Sequence, residues 1–244
     1  MSSPADRLPE LRERIRERSP LPPEKTDWVV RGRYGDIPNR LAHALERWPL
    51  DQARVLDVGC NYGHCLAHFG PGSLGIDNVD EHVEFCRAIG LEAVKADVDE
   101  GLEAVPDGAF DVVWIFDILE HLDAPRLLLR RVAPKLRPDG LLLLYLGLRP
   151  RNPLVRAAFR SRGIVPFEAD VHYYQFTLET ARYLVERAGF RIEEVAVPFL
   201  RGRLRALEPL VLHQTPTAIV AARRDAALER ALAEAEERNK PHAG

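Results

Sequence analysis

Between residues 54 and 147 the chain repeats one pattern: a strand-length run rich in Val, Ile, Leu or Phe, a turn, an amphipathic stretch, and another apolar run. Such alternation leaves few folds open. Each crossover sets two strands parallel and lays a helix on a sheet face. Strands are expected at 54–58, 73–76, 92–96, 110–116 and 140–146, with helices near 63–69, 80–89 and 125–136. After Gly147 the rhythm lapses through an Arg-rich, aromatic stretch. It returns as a helix at 178–188 closed by Gly189, a strand at 191–197, and a last strand at 217–222. The expected fold class is α/β: a doubly wound, mostly parallel seven-stranded sheet with helices on both faces, plus an insertion after strand five.

The flanks divide differently. Residues 1–36 read as a short, mobile charged helix and a linker, because Ser19-Pro20-Leu21-Pro22-Pro23 punctuates the chain. The main domain runs over 37–222 and opens on a helix at 37–48 whose stripe is Ile37, Leu41, Ala44, Leu45 and Trp48. Within it, 148–176 and 199–213 are substrate-side insertions, and 223–244 is an Ala- and Glu-rich helical tail. The net charge of −3 is no footprint for nucleic acid. Cys60, Cys65 and Cys86 form no disulfide framework, which suits a reducing compartment. The N-terminus has no apolar run, and the longest such run, 141–148, is too short to span a bilayer. A cytoplasmic location without a transmembrane segment is expected, and no oligomeric state follows.

The chemistry centres on Val55-Leu-Asp-Val-Gly-Cys-Asn-Tyr-Gly63, a buried strand ending in a tight turn. Gly59 and Gly63 let the backbone approach a ligand closely. The spacing is Asp-x-Gly-x-x-x-Gly, so the nicotinamide dinucleotide fingerprint is absent.

This turn resembles the first motif of the class I methyltransferases, which reads roughly Leu-Asp-x-Gly-Cys-Gly-x-Gly. Gly75-Ile-Asp77, Ala96-Asp97-Val98, the run from Phe110 to Leu122 and Leu136-Arg-Pro-Asp-Gly140 are similar to that family's later motifs and fall in its order. Asn61 departs from the usual glycine, but Asn tolerates a left-handed backbone better than other side chains. The resemblance implies S-adenosylmethionine as cofactor. It also implies roles: the backbone of Gly59, Cys60 and Gly63 under the methionine part, Asp57 orienting the turn or meeting the amino group, and Asp77 accepting from both ribose hydroxyls, with Asn61 and Asn78 among the cofactor-binding residues. Asp97 would accept from the adenine amine while Val98 donates its N–H, and Phe116 and Asp117 would lie beside the reacting methyl.

Ligands of open α/β sheets sit beyond the carboxyl ends of the strands. That location makes 148–176 an expected lid and brings His121 near the chemistry. His172, within Asp170-Val-His-Tyr-Tyr-Gln-Phe-Thr177, is the first candidate general base and His121 the second; either could instead order its loop. Tyr173 and Tyr174 are expected in the acceptor pocket. Arg149 and Arg156, in a run with Arg151, Arg160 and Arg162, would meet a phosphate, carboxylate or lipid headgroup, unless the run is a solvated face. Cys60, His64, Cys65 and His68 lack a second ligand pair at zinc-site spacing, so no metal site is expected. The expected function is methyl transfer to a small-molecule acceptor, an oxygen in the first instance, on an anionic or sugar- or lipid-linked compound. An alternative comes from residues 90–111, which resemble the MetW family: a cofactor-binding partner of an acyltransferase without its own catalysis.

Overall fold

The computed structural model describes residues 5–164, 172–200 and 202–238. Part of the expected lid (165–171), Arg201, and the ends of both flanks (1–4 and 239–244) lie outside the described residues. Its strands are β1 (Val55–Val58), β2 (Leu74–Asp77), β3 (Ala93–Lys95), β4 (Phe110–Phe116), β5 (Leu136–Gly147), β6 (Phe190–Ala196) and β7 (Thr217–Arg224). They form one seven-stranded sheet in the order β3-β2-β1-β4-β5-β7-β6. Strands β1 to β5 pair in parallel. Strand β7 enters antiparallel between β5 and β6. The expected fold class holds.

Both sheet faces are covered, and the strands show it residue by residue. In β4, Val113 and Ile115 face one apolar cluster with Leu56, Val58 and Ile76. Their neighbours Val112, Trp114 and Phe116 face another with Val55, Leu141 and Leu143. Alternation with period two on a sheet buried on both sides is why these strands read as unbroken apolar runs. The covering helices include α4 (Asp80–Ala88), α5 (Pro125–Val132) and α7 (Leu178–Arg187). The last starts on a capping box of Thr177 and Thr180. Winding reverses at β1, which has β2 on one side and β4 on the other, so a crevice opens at the carboxyl ends of these strands.

Three expectations need correction. No α-helix spans 63–69; the chain makes turns and a single 3-10 turn at Leu66–His68. Gly59, Asn61 and Gly63 all have left-handed φ, at 71°, 51° and 74° respectively. A right-handed helix cannot contain such residues. The linker expected before residue 37 is instead largely helix: α1 (Leu8–Arg18) is followed by α2 (Pro23–Arg33) and α3 (Asn39–Arg47). Pro23 begins α2, where the missing N–H is harmless and the fixed φ suits a helix. These N-terminal helices are also docked rather than free. Ile15, Val29, Val30 and Tyr34 are buried against Tyr62, Phe85 and Ile89. The Tyr34 hydroxyl donates to the Tyr62 carbonyl at 2.6 Å. Finally, β5 begins at Leu136 rather than Gly140, with an irregular register where Phe110 and Val112 face it.

The insertion after β5 carries α6 (Pro153–Arg160), capped by the Asn152 side chain. Its return limb rejoins the sheet at the carboxyl end of β5, where Leu148 bridges Phe176. A short α8 (Glu208–Val211) precedes β7. The tail helix α9 (Ala226–Arg238) is held to the body by Arg224–Glu229 (2.9 Å) and Arg126–Glu236 ion pairs. No helix among the described residues is long and apolar enough to cross a membrane.

Candidate functional site

The winding reversal opens a crevice at the carboxyl ends of β1 and β2. It holds a cavity of 380 Å³. Its floor is the turn after β1. The N–H groups of Gly59 and Cys60 both donate to the Ile76 carbonyl, tying this turn to β2. Gly59 lies against the far wall: a Cβ there would collide with Ile118 Cδ1, at a left-handed φ. Gly59→Ala is therefore expected to destabilise the fold by about 1–3 kcal/mol, the usual scale for forced overpacking. A melting temperature equal to wild type would refute that.

Asp77, at the tip of β2, is held on the wall by polar contacts at both carboxyl oxygens. Its Oδ2 accepts from the Asn61 N–H at 2.8 Å. Its Oδ1 accepts from the Val79 N–H at 3.0 Å and lies 3.0 Å from His82 Nδ1. Burial works against its charge, but the His82 contact and the two backbone N–H bonds outweigh it and hold the carboxyl below the ordinary carboxylate range. Asn61, in the left-handed conformation glycine usually supplies, caps its own turn by accepting from the Tyr62 N–H. Asn78, Asp97 and Val98 complete the polar rim. Ile118 and Leu122 form an apolar side, and His121 lies on the same wall.

Of the expected cofactor residues, Gly59, Asn61, Asp77, Asn78, Asp97 and Val98 thus line one cavity. Asp57, Cys60, Gly63, Phe116 and Asp117 are outside its wall. Asp57 is buried in β1 with no hydrogen bond to its Oδ2. Burial, reinforced by the charge of Asp77, pushes its carboxyl up to about 8. Phe116 stacks between Trp114 and Tyr145 on the other sheet face. Asp117 has a left-handed φ of 53° and pairs with Arg40 at 3.5 Å. Ile118 and Leu122 lie in the Phe110–Leu122 run, which gives them no role of their own, and His82 lies in no motif; only their place around Asp77 and the turn marks them.

The two candidate bases, far apart in the chain, meet. The rings of His121 and His172 lie edge to face with centroids 4.7 Å apart. The Glu120 carbonyl makes this contact by accepting from the Tyr173 N–H (2.8 Å) and the Tyr174 N–H (3.3 Å). The Tyr174 hydroxyl adds a third tether, donating to the Asp123 carbonyl at 2.9 Å. Both tyrosine rings remain exposed and stand outside the cavity wall. Among the described residues no arginine lines this wall. Arg156 donates to the carbonyls of Pro150 and Arg151, and the Arg149 N–H donates to the Phe176 carbonyl. Beside the imidazole pair sits Glu120, to which the sequence patterns give no role. It is 3% exposed, and burial pushes its carboxyl up to about 7. In the Cys60–His68 stretch the cysteines are buried, and burial lowers His64 and His68 to about 4.

A family model described as a methyltransferase domain matches residues 29–195. The chain belongs to this methyltransferase family. It is an S-adenosylmethionine-dependent methyltransferase. Among its relatives, the ubiquinone biosynthesis O-methyltransferase of Xanthomonas euvesicatoria is 33% identical over 176 residues, covering 65% of this chain and 71% of that protein. The Xanthomonas oryzae protein of that name is 37% identical over the same shares. A methyltransferase structure from Archaeoglobus fulgidus superposes with a TM-score of 0.57 at 20% identity, over 81% of this chain and 99% of that one.

Proposed function

We propose that this methyltransferase acts on the oxygen of a small-molecule hydroxyl, with its cofactor seated in the cavity above β1 and β2. The observation that carries the proposal is the His121–His172 pair, with His121 on the cavity wall. The cavity suits the cofactor by its shape and its donors: a glycine floor that a Cβ would fill, an anchored carboxylate, a polar rim and an apolar side. S-adenosylmethionine supplies an electrophilic methyl group on a sulfonium.

Asp77 accepts from the ribose hydroxyls, held in place by Asn61, Val79 and His82. Asp97 and the Val98 N–H read the adenine edge, while Ile118 and Leu122 cover its faces. Gly59 allows the backbone close approach, with Asn78 at the rim. Cys60 and Gly63 shape the turn from behind. A hydroxyl is a weak nucleophile until its proton is drawn off, and an imidazole on the cavity wall, with a second against it, supports that role. The Xanthomonas relatives, named as O-methyltransferases at 33% and 37% identity, support an oxygen acceptor.

S-adenosylhomocysteine is expected to bind once per chain by calorimetry. Isotope-labelled methyl is expected to move to phenols or other hydroxylated small molecules. The absence of binding at millimolar concentration would remove the cofactor assignment. Transfer to amines alone would remove the oxygen acceptor, and binding without turnover beside a co-purifying acyltransferase would favour the MetW-like alternative.

A further inference from the structure

Three potential ligands meet at the edge of the cavity: a carboxylate oxygen of Glu120 and a ring nitrogen from each of His121 and His172, all within 4.8 Å of one another. Ligand atoms about 2.1 Å from one shared ion lie no more than about 4.2 Å apart, so modest side-chain rotation closes the set. Two further observations point the same way. Glu120 is buried, and its Oε2 has no hydrogen-bond partner. The Nδ1 of His172 is likewise buried without one. A buried carboxyl oxygen with no donor beside it is unfavourable, and a cation is a group that satisfies it. The neighbouring carboxylate, Asp117, already has Arg40, whereas no described ion pair serves Glu120. The backbone is built to hold the trio, because the residues next to His172 are tied to the Glu120 carbonyl itself.

We propose that Glu120, His121 and His172 bind one divalent transition-metal ion beside the cofactor cavity. Two imidazoles and one carboxylate form a donor set for such ions that leaves coordination positions open. The role of the ion rests on the oxygen-acceptor reading; the ligand set does not. An acceptor hydroxyl on the open side loses its proton to water more readily, as oxygen ligands of such ions do. Its oxygen lone pair then forms the new C–O bond while the electrons of the donor's C–S bond return to sulfur. The imidazole pair thereby assists the hydroxyl through the ion, not as free bases.

The full chain is treated with EDTA, dialysed, and titrated with Co²⁺ under calorimetry and visible absorption. One ion per chain is expected, with the absorption of nitrogen- and oxygen-ligated cobalt. His172→Ala, at a partly exposed position that should leave the fold intact, is expected to weaken uptake by roughly 100-fold or more, and His121→Ala similarly. Turnover should fall with EDTA and return with metal. The proposal is overturned if wild type takes up no Co²⁺, or if both variants bind it as wild type does. S-adenosylhomocysteine binding to the same metal-free samples separates the two ideas. Binding retained without cobalt uptake removes the metal alone, and binding lost removes the cofactor assignment.

Discussion

Asp77→Ala is expected to weaken S-adenosylhomocysteine binding by about 1.5–3 kcal/mol, or roughly 10- to 150-fold in Kd. The lost group is a buried, charged acceptor on the cavity wall. The same change should lower the melting temperature, because the N–H groups of Asn61 and Val79 lose their acceptor and His82 its partner. Asp77→Asn separates the effects: it keeps the shape and one oxygen acceptor but loses the charge, so affinity should fall more than stability. The pH dependence has a definite sign. A carboxyl held below its unfolded value contributes stability at neutral pH, and that contribution is lost as pH falls through the folded value. Binding should accordingly be flat across neutral pH and fail only in acid. A Kd for Asp77→Ala equal to that of wild type, measured by calorimetry, would show that Asp77 does not hold the cofactor.

Asp57→Asn is expected to raise stability by about 2–4 kcal/mol at pH 7. Asp57 is buried with an unpartnered Oδ2, and its folded carboxyl sits at about 8. An unfolded chain ionises it near 4, so between those values the folded state holds a proton that the unfolded state releases. Stability from this group therefore declines as pH rises from about 4 to about 8, and the penalty is complete above that. An amide has no such penalty. Chemical denaturation at pH 5 and pH 8 checks it: the gain should be small at the lower pH and large at the higher. A gain that does not grow with pH would show that Asp57 is not the group responsible. If affinity for S-adenosylhomocysteine also falls, the unfavourable carboxyl is retained for function.

Much of this architecture could be read along the chain because the signals are local. The turn after β1 announces itself through Gly59, Asn61 and Gly63, since few residues adopt left-handed backbone. Asp77 and Asp97 stand out as polar residues where apolar strand runs end, and both line the cavity. Each feature depends on the conformation of a few neighbouring residues. The expected helix at 63–69 is not there: Gly63 is left-handed and the chain closes only a 3-10 turn at Leu66–His68, which apolar spacing alone does not distinguish from an α-helix.

Other features depend on packing between distant segments, which no local pattern encodes. Proline at the start of α2 looks the same in a linker as in a helix; only the burial of Val29, Val30 and Tyr34 against Phe85 and Ile89 decides between them. The antiparallel entry of β7 between β5 and β6 follows from pairing available only once the parallel strands are assembled. The arginines after Gly147 suggest an anion site by their spacing, yet Arg156 is turned back onto its own loop. Glu120 reads as an ordinary acidic residue at a helix start. Tertiary structure alone buries it, draws Tyr173 and Tyr174 onto its carbonyl, and sets His172 against His121. The sequence by itself determined the strands and the polar residues at the rim of the crevice, because strand burial and turn strain act within a few residues. The imidazole–carboxylate group was decided only by the fold, because its members become neighbours when the long stretch of chain between Glu120 and His172 closes on itself.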